Sequence, residues 1–355
     1  MDTLLSPCRR RVLGAFGGLG ALALGGCGER ARPSLSAAAP MQFVGETMGT
    51  TYLVKLADRP LAGARLDALR ADVQSALDGV DRGMSIYRPG SELMRLTRQP
   101  AAVPMPLSKD LFFVLDTGRR VAELSQGAFD VSVAPLVDAW GFGVAKRSVV
   151  PPAGELRARR AAVDYRGLRL DPQHRTATRE HAALQVDLGG IAKGFGVDLA
   201  AQAIEAAGVE NYMLEVGGEV RTRGRNAQGQ TWRIGIEEPD AVPQRARAVV
   251  PLGGRAMASS GDYRIYFEHA GRRYSHEIDP RTAAPIRHGL ASVTVVTDDC
   301  TTADALATAL IVLGPQAGWA LAQRQNLAAY FIVRDAEGRL HDRATEAFAA
   351  LSAIA

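Results

Sequence analysis

Three short stretches hold residue types that can do chemistry. "DLGGIAKGFG" (187–196) sets Gly189 and Gly190 directly before a helix and Lys193 in its first turn. A helix start offers free N–H groups and partial positive charge to an anion, and glycines let the backbone approach a ligand. The same letters also describe a tight turn with Lys193 in water. "TTADALATAL" (301–310) puts Asp304 and Thr308 at i and i+4, on one helix face. A carboxylate and a hydroxyl are hard oxygen ligands, the type Mg²⁺ prefers. Thr301 and Asp304 equally fit a capping box, which needs no metal and leaves Thr308 unexplained. "YSHEIDPRTAAP" (274–285) sets His276 in a strand before an Asp279-Pro280 turn. Its imidazole is either a general base working near neutrality or a hydrogen-bonded structural group.

The surrounding pattern shows what must position these groups. "TTYLVKLA" (50–57) alternates as a strand, and residues 65–80 repeat apolar positions at helical spacing. "MSIYRPGSELMRLTRQ" (84–99) turns at Pro89-Gly90 and enters a short helix capped by Ser91. Residues 108–127 read as an amphipathic helix that Gly127 ends, and 191–207 as a helix stopped by Gly208. Residues 161–190 alternate in short segments, as an antiparallel sheet does. Strand patterns follow at 211–224, 231–239 and 247–261, with a hairpin over 263–279 turning at His269-Ala270-Gly271. "ASVTVVT" is a strand, 301–314 a helix, and "AAYFIVRD" a late strand followed by Gly338. Strands cluster without strict βαβ alternation, so the fold class is α+β, with antiparallel or mixed sheets and interspersed helices. No proline-rich linker divides 41–355, which reads as one domain.

Composition bounds the rest. The 355 residues are 47% hydrophobic and 23% charged, enough apolar content for a large core. Net charge is +4, with no long basic run beyond the N-terminus, so nucleic acid is not an expected partner. No Walker A loop, HExxH, CxxC or GxSxG motif occurs.

Residues 1–26 read as an export signal: Arg9 to Arg11, an apolar stretch, then Gly25-Gly26-Cys27. The arginines look like a twin-arginine motif, and Leu24-Gly25-Gly26-Cys27 like a lipobox with Cys27 as lipidated N-terminus. Cleavage there removes three arginines and one aspartate, taking the charge from +4 to +2, and leaves Cys300 as the remaining thiol. Residues 27–40 form a polar, proline-marked tether.

Taken in order, "ETMGTTY", "MSIYRPGSEL", "GAFDVSVAPLVDAWGFG", "VDLGGIAKGFGVD", "LEVGGEV", "WRIGIEEP", the stretch from Ser259 to Thr282 and "TTADALATALIVLG" closely resemble the ApbE family of exported FAD:protein FMN transferases. The match spans roughly residues 43–335. The resemblance implies an ApbE-like, T-fold-related α+β domain. It implies that FAD is cut at its pyrophosphate, AMP leaves, and FMN is joined by a phosphoester to a Thr or Ser of a target flavoprotein, with Mg²⁺ required. Carried over by motif, the metal is held by the backbone carbonyl of Ala192 and by Asp304 and Thr308. Flavin and adenine are gripped by Met48, Tyr87, the Ala128-Phe129-Asp130 run, Gly189 and Ile278. Lys193 adds positive field, and His276 is the candidate base for the acceptor hydroxyl, with Asp304 or a metal-bound water as the alternative proton acceptor. The implied acceptor is a subunit of a membrane redox complex, on the periplasmic face of the bacterial inner membrane. Two other readings share these residues: a Mg²⁺-dependent FAD pyrophosphatase, and a non-enzymatic flavin-binding lipoprotein. The family reads Asp-Pro-Arg-Thr-Gly where this chain has Ala283, which is strained if that position needs φ > 0.

Overall fold

Strand β2 (Thr50–Leu56) buries Tyr52, Val54 and Leu56 and leaves the residues between them more accessible, the period-2 pattern of a sheet with one face on the core. It belongs to a computed structural model that describes residues 41–58 and 60–351. The expectations for the export signal, Cys27 and the tether lie outside the described residues.

Eight strands form the central sheet, and their order across it follows their order in the chain. They are β1 (Met41–Thr47), β2, β3 (Tyr212–Val216), β4 (Glu219–Arg223), β5 (Ala256–Gly261), β6 (Leu290–Thr297), β7 (Ala328–Arg334) and β8 (Leu340–Ala344). Every neighbouring pair is antiparallel. Strand β6 lies between β5 and β7 and is buried from Leu290 to Val296, so it carries a largely apolar run rather than alternation.

Four long helices matter for the site: α1 (Gly63–Met84), α2 (Lys109–Leu124), α3 (Ala192–Ala206) and α4 (Cys300–Arg324). On one face of the sheet, Val54, Leu214 and Ala256 share a core with Leu69, Val73 and Leu77 of α1 and Val197, Ala200 and Ile204 of α3. On the other, Met213, Val220, Met257, Val296 and Ile332 pack with Trp232, Ile236 and Val250, which belong to a two-stranded ribbon and the residue before it, and with Phe348. Helix α4 is apolar and long enough to cross a bilayer, but 67% of its most apolar window is buried within the fold, so it is a core helix. All these elements form one compact α+β unit.

The structure corrects three local expectations. The helix expected over 301–314 begins at Cys300 and continues to Arg324 across a break, where Gly314 adopts φ 81° and Pro315 starts the second segment. Proline is tolerated there because a helix's first N–H lacks an intrahelical partner anyway. The late strand is followed by another, β8, which pairs with it after a turn through Gly338. His276 is not inside a strand: it sits between the hairpin strand Arg272–Ser275 and the short strand Ile278–Asp279.

Candidate active site

Helices α3 and α4 start side by side, and glycine is what permits it. A Cβ on Gly194 would run into the carbonyl oxygen of Cys300 and lie 2.8 Å from Asp304 Cβ. A Cβ on Gly190 would lie 2.9 Å from Thr308 Oγ1 and 3.3 Å from Phe129. Both sites need close approach, which residues with side chains would block. Ahead of the helix, Asp187 Oδ1 accepts the N–H of Gly189 at 2.7 Å and fixes the turn.

Asp304 does not take the role of a capping-box residue for its own helix. The N-cap of α4 is Asp299, which accepts from the Thr302 N–H at 2.8 Å. Thr301 instead donates its N–H and hydroxyl to Asp198 on α3. Asp304 reaches across and accepts the N–H of Gly194 on Oδ2 at 2.9 Å, capping α3. Its Oδ1 stays turned toward Lys193 Nζ at 3.7 Å. One turn on, Thr308 Oγ1 lies 3.5 Å from the Gly190 carbonyl and 3.4 Å from Ser260 Oγ. Ala192, the first residue of α3, lines the same wall, while the carbonyl brought to Thr308 is that of Gly190.

Lys193 is held between carboxylates, not in water. Its Nζ sits 2.8 Å from Glu219 Oε1 on β4. Burial by itself would lower its pKa, but the charges of Asp304 and Glu219 outweigh that and raise it, so it stays cationic. Burial raises the pKa of Glu219 against the pull of Lys193, and Glu219 Oε2 is buried without a hydrogen-bond partner.

His276 is fixed by one carbonyl. Its backbone N–H donates to Ile265 O at 3.0 Å, and Nδ1 lies 3.2 Å from the same oxygen. A proton on Nδ1 satisfies that contact and leaves Nε2 as an acceptor. Burial pushes the imidazole pKa down to about 4, so the ring is neutral at physiological pH. Phe142 meets it edge-on, with ring centroids 6.4 Å apart. Behind it a stack runs from Phe267 through Tyr274 to Trp140, with centroids 5.2 and 5.4 Å apart. Trp140 Nε1 donates to the carbonyl of Ala283 at 3.0 Å.

These groups line one open cavity of about 510 Å³, a size typical of small-molecule sites. Lys193, Asp304, Thr308 and His276 lie in its wall together with Ala192 and Gly189. Met48 enters from the β1–β2 turn, where it holds φ 46°, and Ala128, Phe129 and Ile278 add apolar surface. Tyr87, 58% exposed, stands on the wall nearer solvent. Asp130 also lines the cavity, but its carboxylate is occupied: it accepts from Ser132 N–H and Oγ and from the Tyr165 N–H. Within the described chain, every residue expected to bind metal or flavin or to take the proton therefore lines this one cavity. Glu219 and Glu277, whose carboxylates also line it, were not expected from the sequence. The only local signal for Glu219 is an acid directly after Gly217-Gly218, and for Glu277 an acid beside His276.

The donors suit a hard cation. Asp304 Oδ1, Thr308 Oγ1 and the Gly190 carbonyl are oxygens, and Glu219, paired with Lys193 through Oε1, has an Oε2 with no hydrogen-bond partner. Among the described residues no three His, Cys, Asp or Glu side chains cluster as a metal site, so an ion here depends on hydroxyl and main-chain oxygens.

An antiparallel-sheet α+β domain with a cation and an oxygen set at one point of a partly apolar cavity defines a protein built to hold a ligand with an anionic centre. The chain belongs to the ApbE family, whose profile matches residues 48–331. It is 44% identical over 299 residues to an FAD:protein FMN transferase of Haemophilus influenzae, covering 83% of this chain and 86% of that one. It is 42% identical over 296 residues to the protein of the same name in Vibrio cholerae, covering 83% and 87%. Among solved structures, the flavin transferase ApbE from Vibrio cholerae superposes with a TM-score of 0.80 at 40% identity, covering 88% of this chain and 99% of that one. The apo flavinyl transferase ApbE of Pseudomonas stutzeri gives 0.79 at 39% identity, covering 88% and 96%.

Proposed function

We propose that this chain is an FAD:protein FMN transferase that joins FMN through a phosphoester to a Thr or Ser hydroxyl of an acceptor flavoprotein and releases AMP. The observation that carries the reading is the convergence of Lys193, the α3 N-terminus, Asp304 and Thr308 at one place in a cavity that also presents the apolar surface of Met48, Phe129 and Ile278. That arrangement suits a pyrophosphate joined to two flat ring systems. Lys193 and the helix start attract the pyrophosphate, while Met48, Phe129, Ile278 and Tyr87 offer surface to the rings. Held by Asp304, Thr308 and main-chain carbonyl oxygen at Gly190 or Ala192, Mg²⁺ would neutralise pyrophosphate charge as a Lewis acid. The acceptor hydroxyl oxygen bonds to the FMN phosphorus. The bond from that phosphorus to the bridging oxygen breaks, and its electron pair leaves with AMP. The hydroxyl proton passes to Nε2 of neutral His276.

Incubating the protein with FAD, Mg²⁺ and a flavin-carrying acceptor domain tests this by intact mass and AMP assay. Acceptor gain of one FMN mass is expected. AMP with free FMN and no labelled acceptor means hydrolysis instead, and unchanged FAD means binding alone.

The proposal extends to place and partner. An exported chain anchored through Cys27 would meet flavin-carrying subunits of membrane redox complexes at the periplasmic face of the inner membrane. Stable anchoring requires more than one acyl chain, as a bacterial lipoprotein carries. Cys27→Ser is expected to move the protein to the soluble fraction, and retention in membranes would overturn the anchor.

A further inference from the structure

Resting on the transferase reading, we infer that Glu277 is the positioning partner of His276, supplying the counter-charge to the imidazolium that forms when His276 takes the acceptor proton. Glu277 Oε1 lies 3.6 Å from His276 Nε2. The opposite ring nitrogen, Nδ1, is taken by the Ile265 carbonyl, so Nε2 is the nitrogen left for chemistry. The Glu277 side chain is 8% exposed and lines the cavity, whereas the imidazole keeps 33% of its side chain accessible. The acid therefore stands beside the nitrogen that the hydroxyl must approach and is the more buried of the two. The Glu277 main chain is pinned as well, because its carbonyl accepts the Ile286 N–H at 2.9 Å. Among the described residues no side-chain hydrogen bond engages the Glu277 carboxyl, which leaves its charge available to His276.

Only the carboxylate form can do this work. Burial raises the Glu277 pKa to about 8. Of the charged groups facing it, Lys193 from α3 opposes that rise, while Asp262 after β5 and Asp304 from α4 add to it. His276 beside it is neutral. As pH rises from 7 to 9, the ionised share of such a group grows from about a tenth to about nine-tenths. Each newly ionised Glu277 turns an uncompensated imidazolium into a neutral pair. The proton taken by Nε2 is then held 3.6 Å from a negative charge, in a wall where screening by water is weak.

Two measurements on the full chain test this. First, kcat for FMN transfer at saturating FAD, Mg²⁺ and acceptor is followed from pH 6 to 9.5. Wild type is expected to rise about tenfold between pH 7 and 9 with an inflection near 8. Glu277→Gln keeps the size and removes the charge, so its profile is expected to be flat there and its rate at pH 9 about tenfold below wild type. FAD affinity should be unchanged, and Glu277→Asp should restore part of the rise. Second, ¹⁵N resonances of labelled histidines are followed over the same range without substrate. The His276 signal, assigned by its loss in His276→Gln, is expected to inflect near pH 8 in wild type and not in Glu277→Gln. A wild-type-like pH profile or the same inflection in Glu277→Gln overturns the pairing. A wild type that labels no acceptor defeats the transferase reading instead, and the resonance titration still decides the pairing.

Discussion

Asp304 on α4 and Asp198 on α3 cap each other's helices. Asp304 accepts the Gly194 N–H of α3 at 2.9 Å, and Asp198 accepts the Cys300 and Thr301 N–H groups of α4 at 2.9 and 2.8 Å. Each carboxylate sits where free N–H groups and the helix dipole favour negative charge. This exchange locks the two helix starts together and fixes where Asp304 Oδ1 and Thr308 face the cavity.

Asp304→Asn separates capping from chemistry. Asparagine retains an oxygen for the Gly194 N–H, so the melting temperature without metal should change little, within about 1 kcal/mol. The negative charge beside Lys193 is lost, so the Mg²⁺ requirement should rise and transfer should fall by orders of magnitude. Thermal denaturation and Mg²⁺-dependent transfer assays check both. Lower stability with unchanged Mg²⁺ dependence would assign Asp304 to capping alone.

Asp198→Ala should act on the fold. Besides the two N–H groups, Asp198 accepts from the Thr301 hydroxyl at 2.6 Å and pairs with Arg221 at 2.7 Å. Removing it leaves buried donors and a half-buried guanidinium without their partner, a change that typically costs about 3–5 kcal/mol. Urea unfolding of the two proteins measures it. A loss under 1 kcal/mol would mean that water or Asp299 replaces the carboxylate.

His276→Gln should slow transfer by about 10²–10⁴ while FAD affinity stays near wild type, the signature of losing a general base rather than a ligand contact. The imidazole pKa is depressed in the folded state, to about 4 from an ordinary 6.5. Base function should therefore persist below pH 6, where an ordinary histidine is already protonated. The same shift makes the folded state lose stability as pH falls from about 6.5 to about 4, because the unfolded chain takes up the proton first. Denaturation midpoints of wild type and His276→Gln between pH 7 and 4 should diverge in that window. Normal labelling by the variant would place the base elsewhere.

Ala283→Gly should stabilise the protein. Ala283 holds φ 59°, where an L-residue with a Cβ is strained by about 1 kcal/mol. It closes a turn in which its N–H donates to Asp279 O at 2.9 Å while Arg281 is held by the Asp279 carboxylate. Glycine adopts that conformation freely, although it gives up the buried methyl group beside Trp140. A rise in melting temperature is expected, and a fall would mean that the methyl contact outweighs the strain.

Sequence alone determined the local and the linear. Alternation marked β2, Ser91 and Gly127 marked helix ends, and the motif order brought out a site whose members, from Met48 to Thr308, do line one cavity. These readings hold because period, capping and turn chemistry act within a few residues. What the tertiary structure decided is which charge meets which. The capping partner of Asp304 lies 110 positions away in the chain, and Lys193 finds Glu219 across two elements. Glu277 looked like one more hairpin residue until burial and the Ile265 carbonyl turned His276 Nε2 toward it. Electrostatic partners are set by distance and burial, and only the packed sheet and helices fix either.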